Sequence, residues 1–221
     1  MLVSQFTLRS IPLISPETAL SEIFPEDYPE GIQYAPVVKE GEFLGFLDLS
    51  DLEFDMETHQ LVGDCALETV SLRLKENQHL FEAMPVFQKT GLSVLPVMDE
   101  KGEFDGVLIL ESLAKVISDS YAFQTDGGVL VLSIPAIHFS LSEISRLVEA
   151  NQAKILSMLV ESDPVVNQNY IVHLKINQPD LSRVVATLER FEFNVLEVHQ
   201  SLEASSIDKD RFDQLMRYLG I

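Results

Sequence analysis

Histidine, cysteine and serine are the residue types that most often carry catalysis or hold metals, and their spacing here favours neither role. The five histidines form no HxxxH or HxH pair and have no companion cysteine, so the sequence shows no metal-ligand pattern. Cys65 is the single cysteine, which permits no internal disulfide and suits a reducing compartment. There is no G-x-S-x-G nucleophile elbow and no glycine-rich phosphate loop. We therefore expect a non-catalytic protein that requires no cofactor and no metal.

Acidic residues dominate the charge of the chain. Its 221 residues include 15 Lys+Arg and 35 Asp+Glu, which gives a formal net charge of −20. A surface of this sign repels phosphates, so we expect neither a nucleic acid polymer nor a membrane as partner. No apolar run approaches the roughly 20 residues of a membrane span, and the N-terminus MLVSQFTLRS lacks the basic start and apolar core of a signal peptide. The sequence predicts a cytoplasmic protein.

A stretch that occurs twice indicates the elements that must position any site. Residues 34–52, YAPVVKEGEFLGFLDLSDL, match residues 94–113, VLPVMDEKGEFDGVLILESL, with one residue gained in the turn. Each copy is typical of a strand, a glycine-containing turn, a second strand and the start of a helix. Two such units are expected to bury their apolar faces against each other. The matched pairs include Pro36/Pro96, Gly41/Gly102, Phe43/Phe104 and Gly45/Gly106.

The repeat extends toward the N-terminus, where Leu2-Val3 aligns with Leu61-Val62. The same offset places Leu8, Ile11 and Leu13 on Leu67, Val70 and Leu72. Each unit is therefore predicted to begin with a short helical turn and an extended segment.

A helix is predicted to follow each extended segment. The first opens at Pro16 and is interrupted by FPEDYPEG. The second spans residues 75–90, where Pro85 should kink or shorten it. Its predicted buried face comprises Leu80, Phe81, Met84 and Phe87, and the helix after the second hairpin should bury Leu110, Leu113, Ala114 and Ile117.

This β-α-β-β-α order, with Pro-Val opening the second strand, resembles the cystathionine-β-synthase (CBS) domain over about residues 1–120. The resemblance implies CBS unit 1 at 1–59 and CBS unit 2 at 60–123, which together form one Bateman module of the α/β (α+β) class. In that family the pair holds adenosine-containing ligands in clefts between the copies. The clefts are lined by backbone around the strand that opens with Pro and by a Thr/Ser-x-x-Asp motif whose carboxylate binds the ribose hydroxyls.

The resemblance places the ribose carboxylate of copy one at Asp51, where the alternative role is an acid that stabilises a helix N-terminus. The Thr/Ser position falls on Asp48, and in copy two Ile109 and Ser112 occupy these positions, so that copy lacks the carboxylate. We therefore expect one ligand per chain, on the Asp51 side, such as an adenine nucleotide or a molecule like S-adenosylmethionine. The expected cleft residues are Ala35, Pro36, Asp48, Asp51, Leu95, Pro96 and Ser112.

The sequence QTDGG at 124–128 predicts a turn-rich domain boundary. An apolar strand follows at 129–134, and Ser140 and Glu143 form a predicted capping box at the start of a helix. That helix should bury Leu141, Ile144, Leu147 and Val148.

The remainder of the second half alternates strands and a helix. A strand at 153–162 should place Leu156, Met158 and Val160 on one face. A strand at 170–176 should point Tyr170, Val172, Leu174 and Ile176 inward and Ile171, His173 and Lys175 outward. A helix predicted from Pro179, with Phe191 on its apolar face, and a strand at 193–199 complete the order β-α-β-β-α-β. This is the order of a ferredoxin-like domain, predicted for 128–200.

After a CBS pair, such a unit resembles the ACT domain, an amino-acid-sensing module. That family often carries Asp-x-x-Gly at the turn between the first strand and helix, but Ser140 occupies the glycine position here and no acid precedes it. The resemblance implies amino-acid binding at Phe139, Ser140 and Leu141 and sheet-to-sheet pairing of subunits. The capping box explains Ser140 without a ligand.

Apolar residues at helical intervals predict a C-terminal amphipathic helix at 205–221, packed either within the chain or in a homodimer. The whole arrangement is similar to the CBS–ACT proteins of the acetoin-utilisation type. It implies a regulatory or sensor protein that responds to a small-molecule effector and acts on a regulated protein partner. The alternative is a structural or protein-interaction dimer whose ligand sites have decayed.

Overall fold

The structure, a computed structural model, describes residues 1–52 and 60–200. The chain divides into two compact units, Met1–Ile117 and Ser118–Ile221. Within the described residues no helix is both long enough and apolar enough to cross a bilayer. The helix predicted at 205–221 lies outside the described residues.

Two antiparallel hairpins form the centre of the first unit. In the first copy, β1 (Tyr34–Lys39) pairs with β2 (Glu42–Asp48). In the second copy, β3 (Leu74–Lys75) lies parallel to β4 (Val94–Met98), which pairs with β5 (Phe104–Ile109). The predicted duplication of the hairpin is therefore confirmed.

Each hairpin is bulged at the same place. The register shifts between Val37 and Val38 in β1 and between Val97 and Met98 in β4. A bulge bends a strand and increases its twist. The two copies therefore share the irregular part of their geometry as well as the regular part.

The two copies exchange their leading segments. Leu8 of copy one pairs with Val107 in β5, through Leu8 N to Val107 O at 2.8 Å and Val107 N to Leu8 O at 3.1 Å. Glu68 of copy two pairs with Phe46 in β2 through the two equivalent bonds, at 2.8 and 3.0 Å. Because each hairpin is extended by a segment of the other copy, the pair forms one folding unit.

The short 3-10 helices Val3–Gln5 and Val62–Asp64 are likewise each hydrogen-bonded to the other copy. Val3 N donates to Gln78 O of copy two at 2.9 Å, and Val62 N donates to Thr18 O of copy one at 3.0 Å. These bonds satisfy backbone groups at the helix starts, which have no partner within a helix.

The predicted alignment of Leu8 with Leu67 is wrong by one residue. Val3 corresponds to Val62, an offset of 62 − 3 = 59, whereas Leu8 corresponds to Glu68, an offset of 68 − 8 = 60. One residue has therefore been gained between these points in copy two, and the apolar pattern alone does not reveal it.

Helices are shorter in the first unit than predicted. The segment predicted as one helix over 75–90 comprises the 3-10 helix Leu80–Ala83 and α1 (Met84–Thr90), and Pro85 lies in the first turn of α1. Proline is tolerated there because that turn has no intrahelical acceptor for its amide. Leu80 and Phe87 are buried, but the predicted burial of Phe81 and Met84 is wrong, since both are about half exposed.

The closing helix of copy two is α2 (Leu110–Ser118), and at this place in copy one the described residues form the 3-10 helix Leu49–Asp51. On α2 Leu113 is buried, but the predicted burial of Leu110 and Ala114 is wrong, because both are exposed. The helix predicted at Pro16 is replaced by the 3-10 helices Leu20–Glu22 and Pro25–Asp27.

Aromatic rings form the centre of the core of the first unit. The rings of Phe43 and Phe46 meet edge to face at 4.9 Å, and Phe43 stacks on Phe104 of the other copy at 5.6 Å. Such pairs add to the stabilisation that comes from their buried area. The other fully buried large side chains of this core are Leu74, Leu80, Leu95 and Leu108.

The second unit has one antiparallel sheet in the order β7-β8-β6-β9. Its strands are β6 (Gly128–Pro135), β7 (Ile155–Ser162), β8 (Asn169–Ile176) and β9 (Asn194–His199). This is the ferredoxin-like order, because the first and third strands of the motif lie at the centre. The predicted fold class, mixed α and β with a split β-α-β unit, is confirmed.

The helices of the second unit are α3 (Tyr121–Gln124), α4 (Leu141–Glu149) and α5 (Ser182–Arg190). The predicted burial of two residues on the helix faces is wrong, because Leu141 and Phe191 are exposed. The sheet and the helices α4 and α5 bury a common core that includes Leu130, Leu132, Ile144, Leu147, Leu174, Ile176, Val184 and Leu188.

Local geometry explains two further differences from the predicted elements. Helix α5 begins at Ser182 rather than at the predicted Pro179, and the Ser182 amide donates to Asp180 Oδ1. In β7 a register shift between Ile155 and Ser157 places Ile155 and Met158 against the core. Leu156, predicted to share a face with Met158, is the residue at this shift and is not part of the core cluster.

Candidate functional site

A cavity of about 340 Å³ opens in the first unit where the two copies meet. Copy one contributes the residues that precede β1, and copy two contributes the start of β4, the end of β5 and the first turns of α2. The lining residues are Glu30, Gly31, Ile32, Gln33, Ser93, Val94, Ile109, Leu110, Glu111 and Ala114.

Equivalent backbone hydrogen bonds fix both sides of the cavity. Leu110 N donates to Ser93 O at 2.9 Å and joins the start of α2 to the start of β4. In copy one Leu49 N donates to Gln33 O at 2.8 Å. The cavity is therefore built on the duplicated framework.

The wall of the cavity is apolar and its rim is acidic. Ile32, Val94 and Ile109 are among the apolar lining residues, whereas Glu30 and Glu111 contribute carboxylates. Neither carboxylate accepts a hydrogen bond from the described residues. An apolar slot with unpaired acceptors at its rim suits a flat apolar group that carries hydroxyl donors.

Gly31 allows Glu111 to approach copy one. Gly31 has φ of +86°, and a Cβ built on it would lie 3.4 Å from Glu111 Oε1. An L side chain here would be strained by this φ, whereas its Cβ would reach only van der Waals distance of the carboxylate. Gly31 of copy one and the Glu111 side chain of copy two therefore lie close together at this edge of the cavity.

The lining of this cavity contains none of the predicted cleft residues, although several are its sequence neighbours. Ala35 and Leu95 are completely buried within the strands, so their side chains are held in the core. Pro36 and Pro96 are also buried in strands, and Ser112 is half-buried on α2. The ligand roles predicted for these residues stay predictions.

Asp48 lies at the end of β2 within a small hydrogen-bond network. Its carboxylate accepts from Ser50 N at 2.9 Å, from Ser50 Oγ at 2.7 Å and from Gln33 Nε2 at 2.8 Å. Partial burial opposes its ionisation, but these bonds outweigh that effect and lower the pKa of the carboxyl group. Asp51 ends the adjacent 3-10 helix, and its side chain lies outside the described residues.

Sequence reasoning missed Glu30 and Glu111 as residues of the cavity. Glu111 stands beside Ser112, the position to which the resemblance points, and corresponds to Ser50 of copy one. The available sequence signal was that Glu111 lies in the first turn of a predicted helix, where an acidic side chain interacts favourably with the helix N-terminus. Glu30 precedes a loop, where spacing gives no signal.

A second cavity, of about 570 Å³, lies at the turn end of the β4–β5 hairpin. Its charged lining residues are Arg73, Lys75, Glu76, Asp99, Glu100 and Lys101. In copy one the corresponding region holds an ion pair, in which Lys39 Nζ lies 2.7 Å from Glu17 Oε1. The hydrogen bond from Lys39 and another from Ser15 lower the pKa of Glu17 to about 2. The two copies thus differ at both ends of their hairpins.

The turn predicted to bind an amino acid has structural roles in the second unit. Phe139 packs edge to face on Tyr170, with ring centroids 5.6 Å apart, and Leu141 is exposed. Ser140 Oγ accepts from Glu143 N at 3.4 Å, which confirms the N-cap, while the reciprocal bond from Glu143 is not among the described bonds. Amino-acid binding at this turn stays a prediction.

Substituting Ser140 by alanine is expected to destabilise the second unit by about 1 kcal/mol, because the Glu143 amide loses its capping acceptor. Urea denaturation followed by hydrogen exchange of the α4 amides measures the change. The control is Ser142→Ala, which leaves the Ser140 oxygen in place. Equal stability of the Ser140→Ala variant and the unsubstituted protein would contradict the capping role.

Within the described residues, no group of three or more His, Cys, Asp or Glu side chains is arranged to hold a metal ion. His173 and His199 each contact a single carboxylate, that of Glu161 at 3.1 Å and that of Glu197 at 2.8 Å. The side chains in these contacts are 35% to 62% exposed, and contacts between charged groups at such exposure contribute little to stability.

A protein-family model described as the CBS domain matches residues 69–119 of this chain. Among curated proteins, the chain is 25% identical over 175 residues to an inosine-5′-monophosphate dehydrogenase of Thermoplasma acidophilum. The match covers 79% of this chain but only 35% of that protein, so the chain spans about a third of its relative. The family match covers most of copy two, and the reciprocal hydrogen bonds within Met1–Ile117 show that copy one repeats its hairpin.

Several solved structures are similar to about half of the chain. A CBS domain pair/ACT domain protein of Thermotoga maritima is 19% identical, covering 53% of this chain and 96% of that one, with a TM-score of 0.44. CBSX2 in complex with AMP is 21% identical, covering 52% and 95%, with a TM-score of 0.43. The cytosolic domain of the Mg²⁺ channel MgtE in complex with ATP is 21% identical, covering 50% and 46%, with a TM-score of 0.44.

Proposed function

We propose that this chain, whose residues 69–119 match the CBS domain, is a non-catalytic regulatory protein that binds an adenosine-type ligand in its first unit. The ligand occupies the cavity between the two CBS copies. Binding favours one arrangement of the protein over another, and a partner protein responds to that arrangement. A ligand shifts such an equilibrium only through its different affinity for the two arrangements.

The observation that carries this proposal is the chemistry of the cavity wall. Its volume of about 340 Å³ lies within the roughly 300–1,000 Å³ of small-molecule sites. The apolar side chains Ile32, Val94 and Ile109 offer a slot for a purine ring. Glu111 and Glu30 offer carboxylate oxygens without other described partners, and a carboxylate accepts two neighbouring hydroxyl groups of a ribose.

The position of the cavity suits a sensor. Its walls come from both copies, and the copies are joined by exchanged segments at Leu8–Val107 and Glu68–Phe46. A ligand that bridges the copies therefore changes the free energy of their mutual placement. We also propose that this change is transmitted to a partner protein.

Blocking the cavity tests the proposal directly. Adenosine at 100 times its dissociation constant should stabilise the protein by about 2.7 kcal/mol, because it binds only the folded state. Substitution of the exposed Ala114 by phenylalanine should fill the cavity and remove at least nine-tenths of this binding. Isothermal titration calorimetry gives the dissociation constant, and thermal unfolding gives the stabilisation.

The matched control is Gln88→Phe. Ala114 also lines an apolar groove between α1 and α2, and Gln88 lines that groove without lining the cavity. The Gln88→Phe variant should therefore bind adenosine as the unsubstituted protein does. Adenosine binding that survives Ala114→Phe, or no binding of adenosine, AMP, ATP or S-adenosylmethionine to the unsubstituted protein, would overturn the proposal.

A second function, protein interaction, is favoured by the groove itself. Met84 and Leu110 are 45% and 46% exposed beside the buried Phe87 and Leu113. Exposed apolar side chains grouped in this way mark interaction surfaces. This structural role is the one to retain if none of the four adenosine compounds binds.

A further inference from the structure

The charges around the cavity between the CBS copies have one sign. Glu30 and Glu111 are the charged members of the lining, which includes no Lys, Arg or His among the described residues. Both side chains are exposed at the rim, so they meet whatever group of the ligand projects outward. A ligand that enters therefore meets two carboxylates.

Most cations of the described first unit are engaged or lie elsewhere. Arg9 pairs with Asp105, Lys39 pairs with Glu17, and Arg73 donates to Phe43 O and lies over the Phe43 ring. Lys75 and Lys101 line the second cavity, at the turn end of the hairpin. Lys115 follows Ala114 on α2 but is not part of the lining.

The N-terminus of α2 does not compensate for the acidic rim. A helix N-terminus carries about half a positive charge, whereas a phosphate monoester carries roughly −1.5 to −2 at neutral pH. Glu111 already occupies the first turn of α2 and takes up this partial charge. A phosphate at the rim would add its charge to those of Glu30 and Glu111.

Hydroxyl and cationic groups are attracted to this acidic rim, whereas a phosphate is repelled by it. A ribose hydroxyl donates to a carboxylate, and a sulfonium or ammonium group is attracted to it. The same two side chains that favour a nucleoside therefore disfavour a nucleotide.

We propose that the cavity selects adenosine-type ligands whose 5′ substituent is uncharged or positively charged, and that Glu111 is the main residue that rejects 5′-phosphates. This specificity rests on the proposed function, because it assigns a ligand class to the same site. It separates this chain from a sensor of AMP or ATP.

Calorimetry with adenosine, AMP and S-adenosylmethionine tests the selection. Adenosine and S-adenosylmethionine should each bind the unsubstituted protein at least tenfold more tightly than AMP, a difference of about 1.4 kcal/mol. The Glu111→Gln variant keeps an acceptor oxygen but loses the charge, so the ratio of the AMP and adenosine dissociation constants should fall to about threefold or less. Raising the salt concentration should reduce the ratio for the unsubstituted protein and leave that of the variant nearly constant.

Glu100→Gln is the matched control. It removes the same charge from an exposed residue at the opposite end of the β4–β5 hairpin and should leave the ratio unchanged. AMP binding as tight as adenosine binding, or a Glu111→Gln variant with an unchanged ratio, would overturn the selection while leaving the proposed function intact. No binding of any of the three compounds, or of ATP, would overturn the proposed function itself.

Discussion

Replacing Gly106 by alanine is expected to destabilise the first unit by about 2–3 kcal/mol, because the exchanged segment of copy one leaves no room for a side chain. A Cβ built on Gly106 would lie 2.6 Å from Leu8 O and 2.8 Å from Thr7 Cγ2. The backbone there has φ of +157°, which L-residues rarely adopt. The Leu8–Val107 bridge would have to move, and urea denaturation monitored by hydrogen exchange of its amides measures the loss.

Gly102→Ala is the control for Gly106→Ala, because it changes another glycine of the same hairpin. Gly102 has φ of +86°, but a Cβ there meets no atom within 4 Å. Its substitution should cost only the backbone strain, about 1 kcal/mol. Equal losses for the two variants would show that the exchanged segment does not press on Gly106.

Replacing Phe46 by alanine is expected to cost about 3–5 kcal/mol of unfolding free energy in the first unit. Phe46 is fully buried, meets Phe43 edge to face at 4.9 Å and lies in the strand that receives Glu68 of copy two. Its removal leaves a cavity at the point where the two copies join. The midpoint of urea denaturation, followed by hydrogen exchange of β2 amides, should fall accordingly.

Phe81→Ala is the matched control for the Phe46 substitution, since it deletes the same group from a residue that is 50% exposed. Its expected cost is below about 1 kcal/mol, because exposed substitutions leave little unfilled space. A cost for Phe81→Ala equal to that for Phe46→Ala would contradict the assignment of the core.

The duplicated framework could be predicted from sequence because it rests on short-range patterns. Gly45 and Gly106 stand at equivalent places, and the structure gives both the same task, to accept a leading segment of the other copy. The exchange itself could not be predicted. It pairs Leu8 with Val107 and Glu68 with Phe46, and pairings between distant segments leave no periodic signal within either one.

Helix faces were predicted less well than strands. In the strand Asn169–Ile176, Val172, Leu174 and Ile176 are buried as predicted, since the period of two is fixed by the pleat. Ile171, predicted to face outward, is buried as well, so the alternation is only partly confirmed. Around Pro85 the chain changes from a 3-10 helix to an α-helix, which alters the angle between successive side chains. Phe81 and Met84 therefore point to solvent although their spacing predicts burial.

The cavity does not lie where the sequence motif predicts a ligand site. The resemblance points to Asp51, but the described residues place an open cavity beside Glu111, with residues of both copies in its lining. Motif spacing identifies residues that could donate a carboxylate. It does not show that Glu111 of copy two would lie close to Gly31 of copy one.

Titration of isotopically labelled protein with adenosine, followed by backbone amide NMR, tests the central claim most directly. The account predicts saturable shifts concentrated at residues 30–33, 93–94 and 109–114, where both copies of the repeat line the cavity. Saturable shifts confined to the Asp48 end of β2 or to the Phe139–Leu141 turn, or the absence of saturable shifts, would contradict it.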